Sequence, residues 1–277
     1  MKIKFSITLL FIVVSTFTQL FAQGDLFITP RRIIFEAGKT AESVNLANTG
    51  KDTAQYTISL IHYIMKSDGS FLEISREAAD KLSAEPYVRF YPRSVVLAPG
   101  ESQVVKVQYI KSPNITTGEY RSHLYFRATP KPRPLGLETS EQNQNIGVNL
   151  VPVFGLSIPL FIKEGKTTVD ITMADIKLES VPNSENNTLS LKLVRTGNSS
   201  SYGDITLIHQ DLNGHKKEVG VVKGIAVYHP NEFRSVLIPL IPDARILNHK
   251  GKLIIQYKIR ECGCTVDGKI TETVIDL

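Results

Sequence analysis

The sequence predicts an all-β chain, two β-sandwiches in tandem behind a short N-terminal export segment. Three observations predict it. From Gly24 onward apolar residues recur at every second position over short runs, the period of half-buried strands. Turn residues punctuate those runs, among them Asn48-Thr49-Gly50-Lys51, Ser67-Asp68-Gly69, Asn213-Gly214 and Asp267-Gly268. A polar joint, Lys163-Glu164-Gly165-Lys166, separates two such series.

The first 22 residues have signal-peptide layout. Lys2 and Lys4 give a positive start, Ile7 to Val14 an apolar run, and Leu20-Phe21-Ala22 a small residue at the cut, so the exported chain is expected to begin at Gln23. The apolar run is shorter than the ~20 residues a membrane span needs; an uncleaved anchor is the competing reading. No cysteine lies near the cut to carry a lipid. The remaining ~255 residues suit one large or two ordinary domains. The expected division is 23–163 and 164–277, the exported protein being soluble and periplasmic.

Composition narrows the function classes. Hydrophobic content of 42% supports real cores, and the net charge of +5 falls to about +3 once Lys2 and Lys4 are removed. Lysines and arginines are interspersed with acids, without the basic block of a nucleic-acid binder. Cys262 and Cys264 are the only cysteines, so disulfides do not build this fold. Paired, they would close a strained ring across one residue. His249 is the nearest histidine, which leaves a metal ion short of ligands, and a tight or partly oxidised thiol pair is the plainer alternative. His62, Asp68, Ser75, Glu119 and His123 offer chemistry, but at no spacing that carries a mechanism. No enzyme activity, cofactor, metal or small-molecule substrate is expected.

In the first half the strands are expected at Phe27–Phe35, 43–47, 56–65, 88–91, 94–97, 103–109 and 118–128. Ser75 to Leu82 is the one helical piece, with Ser75 as cap. Thr129 to Gly147 then breaks the rhythm with Pro-Lys-Pro-Arg-Pro and a polar run, a loop long enough to suggest function. After it, apolar residues and Pro152 occupy every even position from Val148 to Ile162, far beyond the usual strand of 5–6 residues or so. Pro152 cannot donate a ladder hydrogen bond and fits only an edge strand. A protruding edge strand available to a partner is one reading of Leu150, Pro152, Phe154 and Leu156; sandwich core is the other. The second half reads as strands at 169–173, 188–195, 203–209, 216–222, 235–238, 252–260 and 270–275. Short strands at this spacing imply an immunoglobulin-like sandwich in each half.

Three segments together resemble the PapD-like family of periplasmic pilus-assembly chaperones. They are Ile28-Thr29-Pro30-Arg31-Arg32-Ile33-Ile34-Phe35, the stretch Arg89 to Val107 with its Leu97-Ala98-Pro99-Gly100 turn, and Gly118-Glu119-Tyr120-Arg121-Ser122-His123-Leu124-Tyr125-Phe126. Leu247 to Cys264 is faintly similar to the family's closing strands. The likeness is good over 25–163 and poor over 167–277. It implies a carrier of incomplete pilus or fimbrial subunits, which donates its long strand to the subunit's groove and works with an outer-membrane usher. It also implies a cleft arginine and a long-strand lysine that hold the subunit's C-terminal carboxylate. Arg32 falls at the arginine position, where a guanidinium suits bidentate capture. Pro159 falls at the lysine position, leaving Arg31, Arg121 and Lys163 as candidates for the second cation. The long insert is similar to the family's long-loop branch, whose usual disulfide across the flanking strands is absent here. By sequence alone Arg32 reads equally well as a solvated edge residue. The alternative function is a structural or adhesive surface protein built from spacer modules with satisfied edges.

Overall fold

A computed structural model describes residues 26–130, 153–180, 187–241, 250–260 and 268–277. Residues 1–22, expected to be a signal peptide, and Leu150, Pro152, Cys262 and Cys264 lie outside the described residues. In the first half, β1 (Leu26–Thr29), β3 (Ala41–Asn48), β8 (Ser102–Tyr109) and β6 (Val88–Tyr91) form one sheet in that spatial order. The facing sheet runs β2 (Ile33–Phe35), β10 (Gly155–Glu164), β9 (Gly118–Ala128), β4 (Ala54–Met65), β5 (Phe71–Ile74), with β7 (Ser94–Leu97) also paired to β4. Inward residues such as Phe35, Leu46, Val105, Leu124, Phe126 and Leu160 form a closed core between them.

The second half is also a sandwich. β11 (Val169–Ser180), β12 (Asn187–Gly197) and β15 (Phe233–Pro239) form one sheet. The other is β14 (Lys216–Val227), β13 (Ser201–Asp211), β16 (Gly251–Ile259) and β17 (Ile270–Asp276). Leu189, Leu193, Ile205, Leu207, Ile255 and Tyr257 fill its core. Two buried clusters, separate in sequence, are what period-two patterning on both sides of the Lys163–Lys166 joint requires.

Several elements differ from the sequence reading. Phe27–Phe35 is two strands in different sheets: the chain crosses between them at Pro30, which has no amide hydrogen for a ladder, and Leu26–Thr29 pairs with β3 while Ile33–Phe35 pairs with β10. Tyr91-Pro92 marks a similar crossing between β6 and β7. β5 does not alternate, because Phe71, Leu72 and Ile74 lie on both faces of a ribbon paired with His62–Met65. β11 continues past Met173 to Ser180 through an irregularity between Ala174 and Lys177, where Asp175 has φ 50°. The described part of the long stripe begins as a strand only at Gly155; Phe154 precedes it, its carbonyl accepting the Ala128 amide at 2.8 Å. The helical piece is one short turn, Arg76–Ala79, extended by Asp80–Leu82, with the Ala78 amide donating to Ser75 Oγ at 3.3 Å.

A third buried cluster joins the sandwiches: Ile34, Phe161 and Met65 from the first meet Ala226 and Tyr228 from the second. The hairpin between β4 and β5 reaches the same boundary. Ser67 O accepts the Ser235 amide at 2.7 Å, and Met65 O accepts from Asn231 Nδ2 at 2.6 Å.

Candidate functional site: an open strand edge ending at an arginine cleft

β10 pairs with β9 along its whole length, Gly155 opposite Arg127 to Glu164 opposite Gly118. Its other side is covered by β2 only from Leu160 to Ile162. The backbone from Gly155 to Pro159 is therefore an open edge among the described residues. Even-numbered side chains of β10 point inward, and Ile158, Leu160 and Ile162 are buried there. Towards the open end the same stripe leaves the core: Leu156 is 46% exposed and Phe154 just before it 50% exposed. Parity alone assigns these two residues to the core. What uncovers them is the early departure of the chain at Pro30, which leaves no strand beside Gly155–Pro159 among the described residues.

The open edge ends at a cleft of about 1680 Å³ between the sandwiches, whose walls include Arg31, Arg32, Pro159, Lys163, Tyr202 and Glu119. Register explains the meeting. β2 runs parallel to β10 with Ile33 opposite Leu160, so Arg32 falls beside Pro159, at the last uncovered position. Arg32 is half-buried. Its Cζ lies 3.8 Å from the centroid of the Tyr202 ring and 5.2 Å from that of Phe161, and Nη2 donates to Tyr228 Oη at 3.2 Å. Burial raises the Tyr228 phenol above its ordinary pKa, outweighing the opposing pull of Arg32 and Arg121, so it stays neutral as an acceptor.

The other candidate cations part company here. Lys163 lines the cleft, but its Nζ is 3.2 Å from Glu36 Oε2. Arg260 and Lys269 on the opposite wall are likewise paired, with Asp204 and Asp170. Arg31 is exposed on the wall. Arg121, paired in register with Phe161, does not line the cleft: it stacks under Tyr228 at 4.4 Å and donates from Nη2 to Tyr63 O at 3.0 Å. Burial holds its guanidinium below the usual range, and Nη1 meets no hydrogen-bond partner among the described residues.

Sequence reasoning leaves Tyr202, Tyr228 and the role of Glu119 unread, since nothing in local spacing tells which residues meet across two domains. Glu119 is 3% exposed and bridges the sandwiches. Its Oε2 accepts from Ser199 Oγ and the Ser200 amide, both at 2.9 Å, and its Oε1 from Ser200 Oγ. Arg195 ties the same turn from behind, donating to Gly197 O at 2.8 Å and Ser199 O at 3.0 Å.

His62 links Ser122 Oγ (3.3 Å) to Glu85 Oε2 (2.9 Å), a serine–histidine–carboxylate chain. The Ser122 hydroxyl is buried and receives the Ala84 amide at 3.1 Å. The chain thus ties the Ser83–Glu85 segment to the sheet.

His123 is buried beside Arg121, with Nδ1 lacking a hydrogen-bond partner among the described residues. Burial, then the neighbouring Arg121, His62 and Arg32, push its pKa down to about 3. The folded state therefore keeps it neutral while the unfolded chain takes a proton below ~6.5, so its contribution is full above that pH and is lost as pH falls towards about 3. From pH 7 to pH 5 this costs about 2 kcal/mol. Urea midpoints of wild type and His123→Phe at both pH values should show the variant losing less stability on acidification; equal losses would remove His123 as the cause.

No protein-family model matches the chain, and no curated protein matches it. Solved structures similar to it include the class 5 fimbriae chaperone CfaA, at 16% identity and TM-score 0.45, covering 91% of this chain and 98% of that one. The YadV chaperone gives 15% identity and TM-score 0.46, covering 92% and 100%. The CsuC–CsuE chaperone–tip adhesion subunit complex of Acinetobacter baumannii gives 15% and 0.43, covering 91% and 98%. The two-sandwich architecture rests on the chain's own sheets and registers.

Proposed function

We propose that this chain is a periplasmic assembly chaperone, which receives an incomplete pilus or fimbrial subunit along the open edge of β10, holds its C-terminal carboxylate at Arg32 and passes it to an outer-membrane usher. The observation that carries this reading is the junction of edge and cation. A strand laid on Gly155–Pro159 in the direction of β2 ends where β2 begins, so its terminal carboxylate arrives at Arg32. The backbone of β10 supplies the ladder, and exposed Phe154 and Leu156 supply apolar side chains for the subunit's groove. Among the described residues Arg32 meets no carboxylate, which leaves its charge for an incoming anion. Arg31 is the best-placed second cation, because Lys163 already has Glu36 and Arg121 lies behind Tyr228. A spacer module would have a satisfied edge in this place.

The test is purification of the tagged, exported chain from its own periplasm. A small immunoglobulin-like subunit lacking its last strand should co-purify, and Gly155–Ile158 should be protected from amide exchange in the complex. Arg32→Ala should weaken capture about tenfold to a hundredfold, the value of a charge-assisted hydrogen bond. Because Arg32 also stacks on Tyr202, the variant should lose ~0.5–1 kcal/mol of stability as well. Capture unaffected by Arg32→Ala, with no protection on β10, would sink the reading.

A further inference from the structure

We infer that Tyr202, a residue of the second sandwich, is a positioning residue that sets the plane of the Arg32 guanidinium for the incoming carboxylate. The inference rests on Arg32 being the carboxylate anchor. An arginine on a strand end ordinarily samples many rotamers, and bidentate capture requires its planar fork to be held in one of them. Three other cations of this cleft are held by acids: Lys163 by Glu36, Arg260 by Asp204, Lys269 by Asp170. Arg32 is held by rings instead. Tyr202 stacks on it at 3.8 Å from one sandwich, Phe161 lies 5.2 Å away on the other, and the Tyr228 hydroxyl takes one N–H at 3.2 Å. A neighbouring carboxylate would fix the side chain but neutralise it; an aromatic face fixes it and leaves the charge in place. Among the described residues one of five N–H donors is used, by Tyr228, so the rest of the fork remains for an anion.

Tyr202 is itself placed by the domain boundary. It lies two residues after Ser200, whose amide and hydroxyl are bound by Glu119 of the first sandwich. The second sandwich would thus act on the subunit without lying along the open edge, by orienting a cation that the first sandwich carries.

The test uses a fluorescent decapeptide of alternating valine and threonine, prepared with a free C-terminal carboxylate and as its amide. Wild type should bind the acid about tenfold or more tightly than the amide. Tyr202→Leu should reduce that ratio to about threefold or less, while binding of the amide changes little. Tyr202→Phe keeps the ring and should restore the wild-type ratio within about twofold. The nuclear magnetic resonance signal of Arg32 Nε–H, shifted by the ring current in wild type and Tyr202→Phe, should move towards the free-arginine position in Tyr202→Leu; this readout needs no ligand. If Tyr202→Leu weakens acid and amide equally, Tyr202 touches the peptide or merely supports the fold, and positioning is overturned. An unshifted Arg32 signal in Tyr202→Leu overturns it too. If wild type binds both forms equally, the anchor reading itself fails, and if it binds neither, the edge reading fails; the inference falls with either.

Discussion

Phe154→Ser is expected to leave the melting of the free protein almost unchanged, whereas Phe126→Ala should cost about 3–5 kcal/mol, the usual price of an aromatic truncation in a core. The two residues are near neighbours: Leu156 stands opposite Phe126 in the β9–β10 register, and Phe154 lies two residues before Leu156. Phe126 is 0% exposed between the two sheets and Phe154 is 50% exposed. Truncating Phe126 leaves a ring-sized void, while Phe154 loses only a half-solvated ring and keeps its backbone bond to Ala128. Differential scanning calorimetry separates the outcomes. In a capture assay with an incomplete subunit the order reverses for Phe154. A ring fully buried in the subunit's groove is worth about 1.5–3 kcal/mol, so Phe154→Ser should weaken capture about tenfold to a hundredfold. A large drop in melting temperature for Phe154→Ser would return the stripe to the core and favour a spacer module.

The strands were legible wherever one face is buried and the other wet. Val88–Tyr91 and Ser94–Leu97 coincide with the alternation that announces them, because in a sandwich that alternation is the burial pattern itself. Legibility failed where the chain changes sheet or lies outside the sandwich. At Pro30 the single strand expected from Phe27 to Phe35 changes partner, and a period-two pattern carries no information about partners. Phe71–Ile74 pairs in a ribbon whose two faces meet different surroundings, so it never alternates. The site divides in the same way. Arg32, Phe154 and Leu156 were nameable because a strand pattern and a resemblance bear on single segments. Tyr202 and Tyr228 were not, since their significance arises only when residues about 170 to 196 positions away fold against Arg32, a separation no local signal spans.

Glu119→Ala should uncouple the two sandwiches, with a loss of about 3–5 kcal/mol from the coupled structure. The carboxylate is buried and accepts three hydrogen bonds from Ser199 and Ser200 across the boundary. Removing it leaves the buried Ser199 hydroxyl and the Ser200 amide and hydroxyl without their acceptor, and it takes a negative charge away from Arg195 and Arg121. Bonds to a charged acceptor are the strong class, and an orphaned buried donor costs more than an exposed one. Ser200→Ala grades the effect: it removes one hydroxyl but keeps the amide, so about 1–2 kcal/mol is expected. Calorimetry of Glu119→Ala should show the single transition splitting into two, and small-angle scattering should show a larger radius of gyration. The hairpin contacts at Ser67 and Met65 remain, so the sandwiches stay attached at one end while the Tyr202 end opens. Loss of carboxylate discrimination should accompany the opening, because Arg32 then loses the ring that orients it. An unsplit transition with unchanged dimensions would mean that the aromatic cluster around Phe161 and Tyr228 holds the boundary by itself, with Glu119 contributing only locally.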